Sequence, residues 1–227
     1  MCVGAAETGD RAMKLRWRIA WLLSYPWVKI LLCLRVEGRE YFKKVDNKSG
    51  MIVAANHTSN FDPLILGWAI GREIYFLAKE ELFNYRPFAW LIRSWNTLPV
   101  ARGGFDIGAI KRCSQLLRRG KILVLFPEGT RSKTGELNRF KPGAALLALL
   151  NQVPVVPCHI SGMSRSIVAY WVDRDLVRLG FRRKPIGCSS IRVRFGQPIL
   201  PEGFVRNRNG YAQLTAVIET RVRELID

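Results

Sequence analysis

Four short, almost wholly apolar runs, Met51–Ala55, Ile74–Ala78, Ile122–Leu125 and Val153–Ile160, limit what this chain can fold into more than any other feature. Each is strand-length, and a strand without polar alternation is covered on both faces. Helix-length segments separate them: Pro63–Ile70, Pro87–Trp95, Asp106–Arg119 and Pro142–Leu150. In Asp106–Arg119 an acidic residue is placed to cap the helix. Ile107, Ile110, Cys113, Leu116 and Leu117 make one face, and Gly120 ends it. Val36–Phe42, Thr97–Val100 and Ile191–Phe195 read as further strands, and Gly210–Leu225 as a closing helix. Buried strands alternating with helices predict a single α/β domain with a central, mostly parallel or mixed sheet covered by helices. A length of 227 residues gives one such domain a substantial core.

Two of the apolar runs end in polar turns. After Ala55 come Asn56-His57-Thr58-Ser59-Asn60-Phe61-Asp62-Pro63, and after Leu125 come Phe126-Pro127-Glu128-Gly129-Thr130-Arg131-Ser132. On a regular helix His57 and Asp62 would lie about 140° apart, at about 100° per residue, so pairing them requires a tight turn. Asn56, Ser59 and Asn60 supply turn chemistry. Asp62-Pro63 is also a helix start, with Asp as a cap worth about 1 kcal/mol. The residues alone leave two readings of Asp62 open. It caps the helix, or it accepts a hydrogen bond from His57, fixes the tautomer and frees the other ring nitrogen as a base.

Taken with Lys79-Glu80-Glu81-Leu82-Phe83 and Pro99-Val100-Ala101-Arg102-Gly103-Gly104, these blocks resemble the 1-acyl-glycerol-3-phosphate acyltransferase (lysophosphatidic acid acyltransferase) family, over residues 50 to 165. An Asn-His-x4-Asp block followed in order by Phe-Pro-Glu-Gly-Thr-Arg is a specific signal. Ala101 departs from the pattern, since many relatives carry Asp there. The resemblance implies that Glu128, Gly129, Thr130 and Arg131 form the acceptor-phosphate site, with Arg102, Gly103 and Lys79 contributing. Gly129 lets backbone N–H groups approach a ligand, and Arg131 offers a fork for phosphate. Backbone N–H groups of these turns are also suited to hold a thioester oxyanion, at about 3 kcal/mol per donor.

Lys and Arg total 36 against 18 acids, a formal charge of +18, so an acidic partner is expected. Basic residues interleave with Trp and Leu at the amino end, and no zinc-finger, RNA-recognition or basic-zipper pattern occurs. An anionic membrane surface is therefore expected, and nucleic acid is not. Cys2, Cys33, Cys113, Cys158 and Cys188 are odd in number and scattered, which reads as free thiols in a reducing compartment. His159, the other histidine, sits in a strand pattern and reads as structural. With two histidines and no clustered thiols, no metal and no cofactor are expected.

Residues 1–12 are small and polar and read as a disordered N-terminus, with Met13 a second candidate start. Residues 13–35 combine Trp17, Trp21 and Trp27 with aliphatic residues and flanking Lys14, Arg16, Arg18 and Arg35. No small-residue cleavage site follows. Pro26 and Lys29 interrupt a run already short of the roughly 20 residues a spanning helix needs. The pattern predicts a helical hairpin lying in the headgroup region, with its tryptophans as membrane anchors. Residues 36–227 then make the acyltransferase domain, monotopic on the cytoplasmic face of the cell membrane.

Removing a hydroxyl proton as the oxygen attacks a thioester suits an imidazole, the side chain that titrates nearest neutrality. His57 is thus the expected general base, oriented by Asp62, with direct transfer and no acyl-enzyme. Ser59 as a nucleophile would lack the Gly-x-Ser-x-Gly elbow. The resemblance implies transfer of a fatty acyl group from acyl-CoA or acyl-carrier protein to the 2-hydroxyl of 1-acyl-glycerol 3-phosphate. Alternatives are another acceptor, such as a lyso-ornithine lipid or glycerol 3-phosphate, or a non-catalytic basic membrane-binding protein.

Overall fold

A computed structural model describes residues 19, 21–26, 28–30, 32–43, 45, 50–80, 96–100, 106–185 and 190–226, with Lys43 and Lys79 as backbone alone. Strands β1 (Arg35–Glu37), β2 (Met51–Ala55), β3 (Ile74–Lys79), β4 (Thr97–Val100), β5 (Ile122–Leu125), β6 (Val155–Ser161) and β7 (Arg192–Phe195) form one sheet in the order β1-β7-β6-β2-β5-β3-β4. All neighbouring pairs are parallel except β6 with β7. The expected α/β domain with a mostly parallel sheet is therefore what the chain forms. Around it lie α1 (Asp62–Ile70), α2 (Ile107–Arg118), α3 (Gly143–Asn151), α4 (Ile167–Val172), α5 (Arg174–Arg178) and α6 (Arg208–Arg223).

The fully apolar β2 has a simple cause. Met51, Val53 and Ala55 point into one core with Ile65, Leu66 and Ala69 of α1. Ile52 and Ala54 point into the other, with Leu117 of α2, Leu147 of α3 and Leu214, Ile218 and Val222 of α6. Successive side chains leave opposite faces of a strand, and here each face meets a helix layer. α2 starts as its sequence indicates, the Asp106 side chain accepting the Ala109 N–H at 2.8 Å.

Two expected elements differ. The strand expected at Val36–Phe42 stops at Glu37, and Arg39–Lys43 coil into a 3-10 turn. Gly38 takes a φ of +79° there, and a Cβ on it would lie 2.1 Å from the Phe195 carbonyl oxygen. The chain turns away where it presses closest on β7. The segment before β1 is also less separate than a boundary at residue 35 implies, because Leu32 and Leu34 are buried in the core. The helix expected at Pro87–Trp95 and the N-terminus at 1–12 lie outside the described residues.

In the amino-terminal segment, residues 21–26 and 28–30 are helical. Trp21, expected to face lipid, turns inward instead: its indole N–H donates to the Trp68 carbonyl at 3.1 Å, and its ring stacks on Tyr25 with centroids 4.6 Å apart. The last turn of a helix leaves carbonyls without partners, and those of α1 take Trp21 and Arg39 as donors. Ile19, Leu22, Leu23 and Ile30 are the apolar residues left facing outward. Trp17 and Trp27 lie outside the described residues. Among the described residues no helix is long and apolar enough to cross a membrane.

The parallel strands β2, β3, β5 and β6 end at one edge of the sheet, where ligand sites of open α/β sheets form. There Asn56 continues β2 with its side chain. Its carboxamide accepts the Ile160 N–H at 2.7 Å and donates to the Ile160 carbonyl at 3.0 Å, standing in for a strand residue. Asn56→Ala is expected to cost about 1–3 kcal/mol for each buried group it strands, lowering the urea midpoint without changing the slope. Asn56→Asp, which keeps an acceptor and loses the donor, should fall between the two; an unchanged midpoint in both variants would remove Asn56 from the scaffold.

Candidate active site

His57 stands in the turn between β2 and α1, and both of its backbone polar groups are held by the turn after β5. Its N–H donates to Glu128 Oε1 at 2.7 Å, and its carbonyl accepts the Ser132 N–H at 2.7 Å. The imidazole stacks on Phe126, centroids 4.1 Å apart. Two segments some 70 residues apart thus fix one residue from both sides.

Asp62 is fully buried and is the first residue of α1, whose cap position is Phe61. Its carboxylate does not cap the helix. Oδ2 turns back along the chain to accept the N–H of Thr58 at 2.6 Å and of Ser59 at 2.8 Å, and lies 3.0 Å from His57 Nδ1. An oxygen that already accepts two donors is an acceptor toward the ring as well, so Nδ1 carries the proton and Nε2 its lone pair. The His57 side chain is 17% exposed, which leaves an edge open to a reactant. Of the two readings of Asp62, orientation of the ring is the one this geometry fits. Ser59 is fully buried, and its hydroxyl accepts the Phe61 N–H at 3.1 Å, so it does not face a reactant as a nucleophile would.

Glu128 lies beneath the turn and not on its surface. It is 3% exposed, and its carboxylate accepts the His57 N–H and both the backbone and side-chain N–H of Asn138, at 3.0 and 2.7 Å. Burial pushes its pKa up, against the opposing effect of those donors. With both oxygens accepting N–H groups, the carboxylate holds His57 in place from beneath the turn. Gly129 follows with φ +72°, and a Cβ there would meet Lys141 Nζ at 2.8 Å and its stem at 3.1 Å. The Lys141 chain therefore lies flat on the glycine. Thr130 is exposed at the tip of the turn.

The fork of Arg131 is occupied. Nη1 donates to Asp173 Oδ1 at 2.9 Å and Asp175 Oδ1 at 3.1 Å, and Nη2 to Asp175 Oδ2. Asp173 is buried and Oδ1 also accepts the Asn60 N–H at 2.9 Å, whereas the Asp175 side chain is 55% exposed. Burial disfavours the Arg131 charge, yet the two aspartates outweigh it and raise the pKa. Arg182, 5% exposed, completes the frame: Nη2 donates to the carbonyls of Thr58 at 2.7 Å and Ser132 at 3.2 Å, and Nη1 to Lys133 at 3.0 Å.

Lys79 closes β3 at the same sheet edge, with its side chain outside the described atoms, as Arg102 and Gly103 are outside the described residues. Asn138, Lys141, Asp173, Asp175 and Arg182 had no motif to mark them. The stretch Asp173–Arg178 balances two acids against two arginines and has no recognisable spacing. Cys113 and Cys158 are free and buried, and burial raises the Cys113 thiol to about 11, which leaves it inert. Among the described residues no three His, Cys, Asp or Glu side chains converge as metal ligands would.

A family model described as Acyltransferase matches residues 33–161, more than half of the chain. Among curated proteins, the 1-acyl-sn-glycerol-3-phosphate acyltransferase of Bacillus subtilis is 27% identical over 202 residues, covering 87% of this chain and 92% of that protein. The chloroplastic 1-acyl-sn-glycerol-3-phosphate acyltransferase LPAT1 of Arabidopsis thaliana is 32% identical over 143 residues, covering 62% of this chain and 38% of that one. The chain thus spans nearly the whole bacterial relative and well under half of the plant one. The crystal structure of the 1-acyl-sn-glycerophosphate acyltransferase PlsC from Thermotoga maritima superposes with a TM-score of 0.68 over 99% of this chain and 84% of that one, at 24% identity, a likeness of fold.

The Arg131 pair has a pH signature. The hydrogen bond from Arg131 holds the Asp175 carboxyl below its ordinary 3.8. A depressed carboxylate adds stability above its unfolded pKa and loses it as pH falls through the folded one. The gap in unfolding free energy between wild type and Asp175→Asn should therefore be constant from pH 7 to about pH 5 and close only below pH 3.8. The carboxylate is half exposed and screened, so the gap should stay under about 1 kcal/mol. A gap that instead widens with acid would contradict the pairing.

Proposed function

The chain belongs to the acyltransferase family, and from that membership we propose that it transfers a fatty acyl group from an acyl thioester, acyl-CoA or acyl-carrier protein, to the 2-hydroxyl of 1-acyl-sn-glycerol 3-phosphate, forming phosphatidic acid. The observation that carries this reading is the 3.0 Å pair of His57 Nδ1 with Asp62 Oδ2, an arrangement that suits Nε2 as the base. Nε2 takes the hydroxyl proton as the oxygen attacks the thioester carbon. The carbon–sulfur bond then breaks, and the proton passes to the departing thiolate. Asp62 stabilises the imidazolium between the two steps.

The oxyanion needs backbone donors that are not already spent. Thr58 and Ser59 give theirs to Asp62, Gly129 to the Phe126 carbonyl, and Ser132 to His57. We assign the role to the amides of Thr130 and Arg131, which have no acceptor among the described residues. Lys141, beside Gly129, joins Arg131, Lys79 and Arg102 as a cation for the acceptor phosphate. For Arg131 this requires a phosphate to displace the exposed Asp175, a direct competition between two anions for one fork. The outward stripe Ile19, Leu22, Leu23 and Ile30 supports a membrane-surface position for the amino-terminal helix, and we propose the cytoplasmic face as its side.

His57→Ala should lower turnover by at least about 100-fold while leaving the unfolding midpoint near wild type. Asp62→Asn should also lower turnover, with a smaller loss of stability than Asp62→Ala. Normal turnover in purified His57→Ala enzyme would end the mechanism. Arg131→Lys keeps the charge and loses the fork, so it should mainly raise the KM for lysophosphatidic acid. Arg131→Ala should cost about 1.5–3 kcal/mol in acceptor use. If Arg131→Ala penalises acceptors with and without phosphate alike, its bonds to Asp173 and Asp175 are its whole function, and it leaves the acceptor site.

A further inference from the structure

A cavity of about 440 Å³ opens beside the catalytic turn, walled by Arg165, Arg182, Arg183 and Lys184 with the hydroxyls of Thr134 and Ser164. Among the described residues that line it there is no carboxylate. At its rim Phe181 carries the Lys133 ammonium 5.5 Å above its ring, a further positive charge. The nearest acids of the same segment, Asp173 and Asp175, are engaged by Arg131. Like charges gathered at one recess repel one another, and more strongly where the protein excludes water. Such a cluster is at ease when an anion fills it. The recess is within the size range of small-molecule sites, and it offers forked and single-point donors of the kind that phosphate oxygens take.

Its place in the fold narrows the ligand. Arg182 forms part of the wall, and its guanidinium holds the carbonyl of Thr58, the residue after His57. An anion in the recess is therefore anchored close to the turn that carries His57. A thioester donor has this shape: a phosphate-bearing end joined by a long arm to the reacting carbonyl. We propose that this cavity binds the phosphate groups of the acyl donor, the chemistry shared by coenzyme A and the phosphopantetheine arm of a carrier protein. The inference rests on the thioester-dependent acyl transfer proposed above.

Arg183 and Lys184 are exposed and suit a test. The double variant Arg183→Glu, Lys184→Glu should raise the KM for acyl-CoA at least about tenfold, a change of 1.4 kcal/mol, with kcat at saturating donor within about twofold of wild type. The KM for the same acyl group on pantetheine, which has no phosphate, should not move, nor should the KM for lysophosphatidic acid. The charge-conserving variant Arg183→Lys, Lys184→Arg should restore acyl-CoA use. A rise with acyl-CoA alone assigns the nucleotide phosphates, and a rise shared with acyl-carrier protein assigns the phosphopantetheine phosphate. Equal rises for phosphate-bearing and phosphate-free donors, or a rise for the acceptor alone, would overturn the proposal. So would unchanged donor constants with lost binding to phosphatidylglycerol vesicles, since the recess would then read a lipid headgroup. If wild-type enzyme moves no acyl group from any thioester, the functional reading fails; if it does and the variant matches it, only the cavity assignment fails.

Discussion

One oxygen, Asp62 Oδ2, collects three groups: two backbone N–H donors from Thr58 and Ser59 and the ring nitrogen of His57. Hydrogen bonds to a charged acceptor contribute about 1.5–3 kcal/mol each, and all three depend on the carboxylate sitting at the first residue of α1. That placement folds the chain tightly between β2 and the helix. The same placement puts the negative charge at the positive end of the helix dipole. Orientation of the His57 ring, closure of the turn and start of the helix are therefore one interaction, and none can be altered alone.

A turn this short would not hold its own position at a sheet edge. The clamp from the turn after β5 supplies what is missing, through Glu128 on the His57 N–H and Ser132 on its carbonyl. β2 and β5 are neighbours in parallel register, with Ala54 opposite Leu125, so both turns leave the same edge side by side. Parallel pairing is what makes the clamp reachable. Burying the Glu128 carboxylate is costly, and Asn138 offsets part of that cost with two further donors. The Phe-Pro-Glu-Gly-Thr-Arg block is thus partly scaffold for the His block.

The sheet was legible because double-sided burial leaves a one-letter trace: β2 and β5 are apolar at every position. The α2 cap at Asp106 was legible because capping is local. The end of β1 was not, since Gly38 bends against β7, a contact across some 157 residues. The partner of Trp21 is hidden in the sequence for a similar reason. Indole density resembles a lipid anchor, while the carbonyls of α1 that capture its N–H are visible only once the two elements meet. At the site, His57 and Asp62 were readable from a five-residue spacing. The depth of Glu128 is not readable, because a sequence gives charge and not burial. Arg182 and Asp173 were silent because their partners come from loops far apart in the chain.

Asp173 joins these parts in a way that bears on how the site can respond. Its Oδ1 accepts from both Arg131 and the Asn60 N–H, so the fork of the Glu-Gly-Thr-Arg turn and the middle of the His57 turn share one buried acceptor. Asp175 shares only the fork and stands in solvent. An anion arriving at Arg131 competes first with the exposed carboxylate, whose charge water can take over once it is displaced. Displacing Asp173 would strand a buried charge and release Asn60, a far larger penalty. The fork can therefore exchange one partner while the other keeps the His57 turn in place.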